Sequence, residues 1–308
     1  MPHQSKRYPP IEELIPADWQ QQDIKANGIR QHILRTGGNN PPLLLLHGFM
    51  ESGLAWLRLA RALADRYDVI MPEARAHGRS DSYQTGFSPT ILTDDAIALI
   101  EQLDLDKPIS MGHSNGAVTA FRIATQRPDL IRALILEDPP AGGRPMPAMR
   151  AGSVPEEGFN WYEDWMNWMR HLKTMSHHER VESAVDRWPY GLPIPSDEPL
   201  WPAEDFVGRT ESLTNFDITI FDTKIEFWSL LDYLDLAPQI SCPTLLLTGD
   251  PYLGSLVPED IVLTLMEQIT NFQWEQIEGA AHILSRGRPF EQTLAKLNAF
   301  LNAIGRPS

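Results

Sequence analysis

The sequence has 308 residues, 42% of them hydrophobic and 22% charged, and a formal net charge of −15. These values exclude a disordered chain and suit one large α/β domain with an insertion, or two domains. The negative charge argues against nucleic acid and anionic membrane surfaces as partners. Cys242 is the only cysteine of the sequence, which rules out an intrachain disulfide and indicates a reducing compartment.

The first residues of the sequence contain no apolar segment of the kind found in signal peptides. The longest strongly apolar run, at 43–46, is far too short to span a bilayer. We therefore expect a cytoplasmic protein. Residues 1 to about 20 are polar and rich in proline, which predicts an arm on the surface.

Strand-like and helical patterns alternate along the first half of the sequence. The Asn27-Gly28 pair separates two strand-like stretches and predicts a hairpin. The four leucines at 43–46 form a continuously apolar run, which is typical of a strand covered on both faces. Further periodic segments follow: helices at 53–65, 90–103 and 117–126, and strands at 67–71, 108–111 and 133–136. This alternation predicts an α/β fold with a doubly wound, mostly parallel sheet.

The alternation stops between residues 141 and 237. This segment holds six of the nine tryptophans and no strand-like apolar run. Alternation then resumes, with strands expected at 244–248 and 272–277 and helices at 258–269 and 289–301. We infer a helical cap at 141–237 that is inserted into a single core domain formed by residues 1–140 and 238–308.

The aromatic residues of this cap suggest a substrate-binding surface. Trp161 and Trp165 lie four residues apart, so they share one face of an expected helix. Such a face most often packs against a neighbouring domain, but a cap this aromatic would also leave rings directed at the site. We therefore predict that Trp161 and Trp165 contact the substrate, which favours an apolar or aromatic small molecule.

The motif Gly-His-Ser-Asn-Gly at 112–116 lies between an expected strand and an expected helix. A serine on such a sharp turn needs a strained backbone, and its neighbours two residues away must lack side chains. Gly112 and Gly116 meet this requirement. The turn would lift the Ser114 hydroxyl above the sheet, where the helix N-terminus points N–H groups at developing negative charge. Ser114 is therefore the predicted nucleophile.

Four motifs together resemble those of the α/β-hydrolase fold superfamily, and the resemblance covers nearly the whole chain. They are His47-Gly48-Phe49, Ala76-His77-Gly78-Arg79-Ser80, Gly112-His113-Ser114-Asn115-Gly116 and Gly279-Ala280-Ala281-His282. The resemblance implies an α/β-hydrolase fold with a serine nucleophile and a cap. It says little about the substrate, because this fold hosts many chemistries.

The resemblance also implies the roles of several site residues. His282 precedes the C-terminal helix, the position of the catalytic base in the family, where it would take the proton of Ser114. The oxyanion hole would consist of the N–H groups of Asn115 and Phe49. The side chains of Phe49 and Met50 would form part of the apolar wall of the substrate site. For His47 and His77, in glycine-containing turns, we expect a structural hydrogen-bonding role. His113 is the variable residue of the turn at 112–116 (the elbow).

The acid of the triad is ambiguous in this sequence. Most relatives carry it after the strand before the last, where the matching position holds Tyr252, and Asp250 comes two residues earlier. Other relatives carry the acid after the strand that follows the elbow helix. That segment of this chain reads Glu137-Asp138 and resembles the corresponding part of fungal-type zearalenone lactonases. We favour Asp138, and Asp250 and Glu137 remain open alternatives.

The resemblance implies a serine hydrolase that cleaves a carboxylic ester or lactone through an acyl-enzyme. Epoxide hydrolases and haloalkane dehalogenases of this fold use an aspartate nucleophile, so Ser114 argues against both activities. A C–C bond hydrolase or lyase, or a ligand-binding member with little turnover, are the alternatives. We expect no cofactor and no metal, because the histidines and acidic residues do not fall into a recognised ligand spacing. A monomer and a homodimer are both compatible with the sequence.

Overall fold

The structure is a computed structural model that describes residues 8–82, 86–140, 161–185, 201–222 and 233–305, with the backbone alone at 161 and 162. In these ranges, eight strands form a single sheet. They are β1 Gln20–Ala26, β2 Ile29–Arg35, β3 Pro42–Leu46, β4 Asp68–Pro72, β5 Ile109–His113, β6 Ala133–Glu137, β7 Thr244–Thr248 and β8 Phe272–Gln276. Their order across the sheet is β1-β2-β4-β3-β5-β6-β7-β8. The β1/β2 and β2/β4 pairs are antiparallel and the other five pairs are parallel, which confirms the predicted mostly parallel sheet.

Helices cover the sheet, as the alternation of patterns predicts. They are α1 Ile11–Leu14, α2 Leu57–Leu63, α3 Pro89–Gln102, α4 Asn115–Gln126, α5 Trp161–Leu172, α6 His177–Val185, α7 Ala203–Asn215, α8 Glu259–Gln268 and α9 Phe290–Ala303. None of the helices within the described ranges is both long enough and apolar enough to cross a membrane.

Local sequence signals explain where two of these helices begin. Helix α3 starts directly after Ser88, whose hydroxyl accepts the N–H of Ile91 at 3.2 Å, and Pro89 occupies the first helical position. The expected helix at 53–65 instead begins with a 3₁₀ turn, Gly53–Trp56, and continues as α2. The turn is tight because Gly53 lies against the carbonyl oxygen of Met71, where a Cβ atom would clash.

The central strands β3 to β7 form the core of the molecule. Leu43, Leu44 and Leu45 of β3 are fully buried, as the continuous apolar run predicts for a strand covered on both faces. Since β3, β5, β6, β7 and β8 run parallel, their carboxyl ends meet at one edge of the sheet, where ligand sites of such sheets are usually found. The turns that follow these strands carry the candidate site.

The N-terminal segment, described from Tyr8 onward, lies at the surface over most of its length, and two buried side chains anchor it. The Tyr8 ring is fully buried and stacks on Phe206 of α7, with ring centroids 4.3 Å apart. Its hydroxyl donates to the carbonyl oxygen of Trp201 at 3.3 Å, and Ile11 is also buried. The polar composition of this segment gave no sign that Tyr8 and Ile11 would be buried. Their burial against α7 holds the segment in place.

The segment between β6 and β7 is helical where it is described. It contains α5, α6, α7 and two 3₁₀ segments, Ile218–Asp222 and Leu234–Gln239. Residues 205–214 of α7 are all buried. Gly208 lies against the carbonyl oxygen of Leu54, and the hydroxyls of Ser212 and Ser52 are 2.8 Å apart. Helix α7 therefore packs closely on the turn between β3 and α2.

Candidate active site

Ser114 lies on a strained turn at the carboxyl end of β5. Its backbone has φ 52° and ψ −120°, a conformation that L-residues rarely adopt. A Cβ atom on Gly112 would overlap the carbonyl oxygen of Gly116, and one on Gly116 would overlap that of Leu46. The two glycines therefore provide the room for the turn that the sequence motif requires. The Ser114 N–H donates to the carbonyl oxygen of Glu137 at 2.9 Å, which ties the turn to β6.

His282 and Asp138 form a short hydrogen bond at the same edge of the sheet. Nδ1 of His282 lies 2.6 Å from Oδ2 of Asp138. Because a carboxylate accepts, we assign the ring proton to Nδ1, which leaves Nε2 to accept a proton. Burial lowers the pKa of His282, against the opposing effect of the Asp138 hydrogen bond. The ring is therefore neutral at neutral pH, as a general base must be.

The Asp138 carboxylate is fully buried and is surrounded by donors. Besides His282, it accepts the hydroxyl of Ser255, the N–H of Leu256 at 2.8 Å and the N–H of Gly249 at 3.4 Å. Its own backbone is strained, with φ 45°. Several donors to one carboxylate favour its charged form, so they offset the cost of burying it.

The two other candidate acids lie elsewhere in the hydrogen-bond network. Oε1 of Glu137 is buried and accepts the N–H groups of Leu284 and Ser285, and the Ser285 hydroxyl, each at 3.0 Å. Asp250 accepts the N–H of Tyr252 at 2.8 Å and caps a short 3₁₀ turn, while Tyr252 itself is 98% exposed. Of the three carboxylates, it is Asp138 that contacts the base.

The turn that carries Ser114 contacts the loop that carries His282 through His113, without a hydrogen bond between Ser114 and His282. The ring of His113, next to Ser114 in sequence, lies 4.7 Å from the His282 ring between centroids. Within the described part of the chain, the Ser114 hydroxyl makes no hydrogen bond to another residue. Catalytic hydrogen bonds are often long in the absence of substrate and tighten when it binds. The structure brings the elbow together with the loop before α9 that carries His282 (the base loop), but the hydrogen bond between Ser114 and His282 is not formed.

The two predicted oxyanion donors belong to the turns that follow the neighbouring strands β3 and β5. Asn115 is buried and is the first residue of α4, a position whose N–H has no partner inside the helix. Phe49 follows His47-Gly48 in the turn after β3. The ring of Phe49 contacts three aromatic residues edge-on, namely His77, Phe216 and Phe221.

Two buried histidines brace the turn that carries Phe49. His77 accepts the N–H of Met50 at Nε2 (3.0 Å) and donates from Nδ1 to the carbonyl oxygen of Arg75 (2.8 Å). Burial lowers the pKa of His77 to about 3, so the ring stays neutral. His47 accepts the N–H of Ala74 at 3.0 Å in the same way. These contacts agree with the structural role that the sequence predicts for both rings, and they hold Met50 at a positive φ of 62°.

The predicted substrate contacts in the cap are described in part. Trp165 of α5 is half-buried and meets Phe221 edge-on at 6.2 Å, and Phe221 in turn contacts Phe49 at 5.8 Å. An aromatic chain thus connects α5 to the turn after β3. The side chain of Trp161 lies outside the described residues.

Sequence reasoning missed a buried ion cluster beside the site. The carboxylate of Glu51 is 2.7 Å from Nη2 of Arg286 and 3.1 Å from Nδ1 of His113. It also accepts the N–H of Gly48 at 2.9 Å. The available signal was a carboxylate three residues after Gly48, the one acidic residue in the stretch 47–56 between β3 and α2. Among the described residues, no group of three or more His, Cys, Asp or Glu side chains could hold a metal ion.

The chain resembles known proteins of one fold family. Residues 41–189 match the sequence model described as the α/β hydrolase fold. A soluble epoxide hydrolase from Corynebacterium sp. (strain C12) is 37% identical over 112 residues, which are 36% of this chain and 39% of that protein. Matches to the curated relatives span about a third to a half of those proteins.

Solved structures extend the likeness to nearly the whole chain. The N-formylmaleamic acid deformylase from Pseudomonas putida S16 has a TM-score of 0.69 at 23% identity, over 90% of this chain and 100% of that one. The enol-lactonase from Burkholderia xenovorans LB400 has a TM-score of 0.64 at 19% identity, over 91% and 100%. At such identities the likeness concerns the fold.

Proposed function

The chain belongs to the α/β hydrolase fold superfamily, and on this premise we propose that it is a serine hydrolase that cleaves a carboxylic ester or lactone through an acyl-enzyme. The observation that carries the proposal is the pair formed by the buried Asp138 and His282, 2.6 Å apart, beside a serine on a strained strand-to-helix turn. This arrangement suits a hydroxyl nucleophile, which needs a neighbouring base to become reactive.

In the proposed reaction, Oγ of Ser114 attacks the acyl carbon and its proton passes to Nε2 of His282. Asp138 keeps the ring in the required tautomer and stabilises the imidazolium that forms. The N–H groups of Phe49 and Asn115 would hold the oxyanion, and in other enzymes loss of one such donor costs about 3–4 kcal/mol. His282 then protonates the leaving alkoxide, and the same ring activates the water that releases the acid and regenerates Ser114.

The nucleophile type separates this proposal from the epoxide hydrolases among the relatives. A carboxylate that opens an epoxide forms an ester, which water can cleave at the carbonyl carbon. Ser114 would instead form an alkyl ether, which has no carbonyl for water to attack, so turnover would stop after one cycle. A serine at this position therefore supports acyl rather than alkyl transfer.

We also propose that residues 141–237 act as a cap and that the substrate is an apolar or aromatic small molecule. The support comes from Phe216, Phe221 and Trp165, whose rings lead from α5 and the 3₁₀ segment 218–222 to Phe49 beside the elbow. Aromatic walls of this kind suit rings and lactones.

The proposal is tested by covalent labelling with a fluorophosphonate probe. We expect rapid labelling of the wild type and none of Ser114→Ala, because the probe reports an activated serine. Ser176→Ala is the matched control, since it removes an exposed hydroxyl in the cap and should label like the wild type. Absence of labelling on folded wild-type protein would contradict the proposal and favour a ligand-binding role.

Substrate class is tested with a panel of aromatic and short esters, small and macrocyclic lactones, vinylogous diketones and epoxides. We expect turnover of esters or lactones that is lost in Ser114→Ala. Turnover confined to diketones would indicate C–C bond hydrolysis, and epoxide opening that survives in Ser114→Ala would contradict the assigned nucleophile.

A further inference from the structure

We propose that Glu51 is a positioning residue, which fixes the loop of the base His282 through His113 and Arg286. The inference rests on the proposed function of Ser114 and His282, and it adds a role for a carboxylate that does not touch the reacting atoms. It depends on the hydrogen bonds and ion pairs that surround Glu51 in the turn after β3.

The Glu51 carboxylate is almost fully buried, with 2% exposure, and each oxygen has its own partners. Oε2 accepts the N–H of Gly48 at 2.9 Å and faces Nδ1 of His113 at 3.1 Å. Oε1 lies 2.7 Å from Nη2 of Arg286 and 3.8 Å from Nη1 of Arg209 on α7. One side chain therefore contacts the turn after β3 that carries Phe49, the ring of His113 before Ser114, Arg286 in the base loop, and helix α7.

The ring of His113 connects Glu51 to the base. Its Nδ1 faces the carboxylate, and its Nε2 lies 3.1 Å from the backbone carbonyl oxygen of His282. Both of these oxygens are acceptors, which suits an imidazolium whose two ring nitrogens donate; Nη2 of Arg286 also lies 3.4 Å from Nδ1. The elbow histidine thus holds the backbone of the base by a charge-assisted hydrogen bond.

The protonation of His113 depends on the carboxylate. The ionisable groups that face its ring are Glu51, Arg286, Glu137, His282 and His47. Burial acts to lower the pKa of His113, but the charge of Glu51 and its hydrogen bond outweigh this effect and raise the pKa. Without the negative charge, the ring would lose its proton at neutral pH, and with it one of its two donated hydrogen bonds.

Arg286 provides a second connection between Glu51 and the base. It follows His282 by four residues in the loop before α9 and is itself 2% exposed. The base loop is therefore held at two points, at the carbonyl of His282 through His113 and at Arg286 directly. The Glu51–Arg286 pair also lowers the pKa of Glu51 well below its ordinary value, against the effect of burial, so the carboxylate stays charged.

A charged Glu51 therefore sets the distance between His282 and Ser114. A displacement of about 1 Å in a catalytic group can cost about 100-fold in rate. We expect its loss to affect the chemical step rather than substrate binding, because Glu51 is shielded from solvent and contacts the loops instead of the aromatic wall.

The test compares Glu51→Gln, which removes the charge at constant size, with Glu51→Asp, which keeps it. Asp68→Asn is the matched control, because Asp68 is also a buried carboxylate that pairs with an arginine (Arg35) and accepts a backbone N–H (from Gly37), but it lies at the amino end of β4, away from the site. For Glu51→Gln we expect kcat and the labelling rate of Ser114 to fall about 10- to 100-fold with KM within about threefold. Glu51→Asp should recover part of the loss, and Asp68→Asn should keep kcat within about twofold at a similar loss of thermal stability.

Histidine-selective NMR gives a readout that does not require activity. In Glu51→Gln, the titration of His113 should move to lower pH and the ring signals of His282 should shift, whereas both should be unchanged in Asp68→Asn. Unchanged histidine signals and undiminished labelling in Glu51→Gln would overturn the positioning role. If the wild type is not labelled but the NMR coupling is present, the proposed function fails while the link from Glu51 to His282 stands.

Discussion

The ends of the neighbouring strands β6 and β7 each carry a candidate triad acid, and the two carboxylates differ in burial and in hydrogen bonding. Asp138, after β6, is fully buried, has a strained backbone and accepts hydrogen bonds from four residues that include His282. Asp250, after β7, is half-buried and caps a turn of three residues. Of the two carboxylates, the one with the buried, donor-rich environment is also the one that contacts His282.

The loop after β7 supplies hydrogen-bond donors to the carboxylate after β6. It donates the N–H groups of Gly249 and Leu256 and the hydroxyl of Ser255 to Asp138. A buried carboxylate without such donors would be neutral at physiological pH. The acid on β6 and the donor loop on β7 therefore work as one unit.

The largest effect should separate the two aspartates. We expect Asp138→Asn to lower kcat about 10³- to 10⁴-fold, because the amide cannot hold His282 in the right tautomer or stabilise its charged form. Asp250→Asn should keep kcat within about threefold and cost at most about 1 kcal/mol, the order of a lost cap. Ester turnover and thermal unfolding of both variants measure this. A collapse of activity in Asp250→Asn alone, with the fold intact, would reverse the assignment.

Two glycines of the loop after β7 provide the next comparison. A Cβ atom on Gly249 would clash with the carbonyl oxygens of Ala280 and Ala281, directly before His282, whereas Gly254 has open space around it but a φ of 110°. Gly249→Ala should therefore push the base loop away and lower kcat about 10- to 100-fold. Gly254→Ala should cost about 1–2 kcal/mol of backbone strain and leave kcat unchanged. A Gly249→Ala variant with the same kcat as Gly254→Ala would show that this loop is not coupled to His282.

The fold and the strained turn that carries Ser114 could be predicted because their signals are local. The apolar run at 43–46 indicates a strand covered on both faces, and the elbow needs Gly112 and Gly116 within two residues of Ser114. The strand and helix order follows from such short patterns, and the predicted boundaries differ from those of the structure by at most about three residues.

The environment of the acid could not be predicted, because its partners come from separate parts of the chain. Asp138 takes its donors from residues 249–256 and 282, more than a hundred positions away. The Glu51–His113–Arg286 cluster likewise joins three distant turns. No periodicity or spacing in the sequence reports that these turns meet. Polar residues in turns are expected to be solvated, and the partners that keep these three buried groups charged come together only after folding.

Glu137 lies next to Asp138 but holds the base loop instead of the base. Its Oε1 accepts three hydrogen bonds from Leu284 and Ser285. We expect Glu137→Gln to cost about 1–3 kcal/mol, because donors to a buried charged group lose part of their stabilisation, and to lower kcat about tenfold. Glu275→Gln on β8 removes an exposed pair with Lys296 and should change stability by less than 1 kcal/mol. Denaturant unfolding and ester turnover test both, and a Glu137→Gln variant as active as Glu275→Gln would contradict the role of this carboxylate.

The pH dependence of activity gives the smallest and most specific comparison of the two strand ends. Burial lowers the pKa of His282 below its ordinary value of 6.5, and the Asp138 hydrogen bond opposes that shift. Since the neutral ring is the active form, kcat/KM should rise with pH through a midpoint below 6.5 in the wild type. In Asp138→Asn the residual activity should have a still lower midpoint, because the group that raises the pKa is gone, while Asp250→Asn should match the wild type. A wild-type midpoint above 6.5 would contradict the effect of burial on His282, and a midpoint that moves in Asp250→Asn instead would mean that the carboxylate after β7 governs the base.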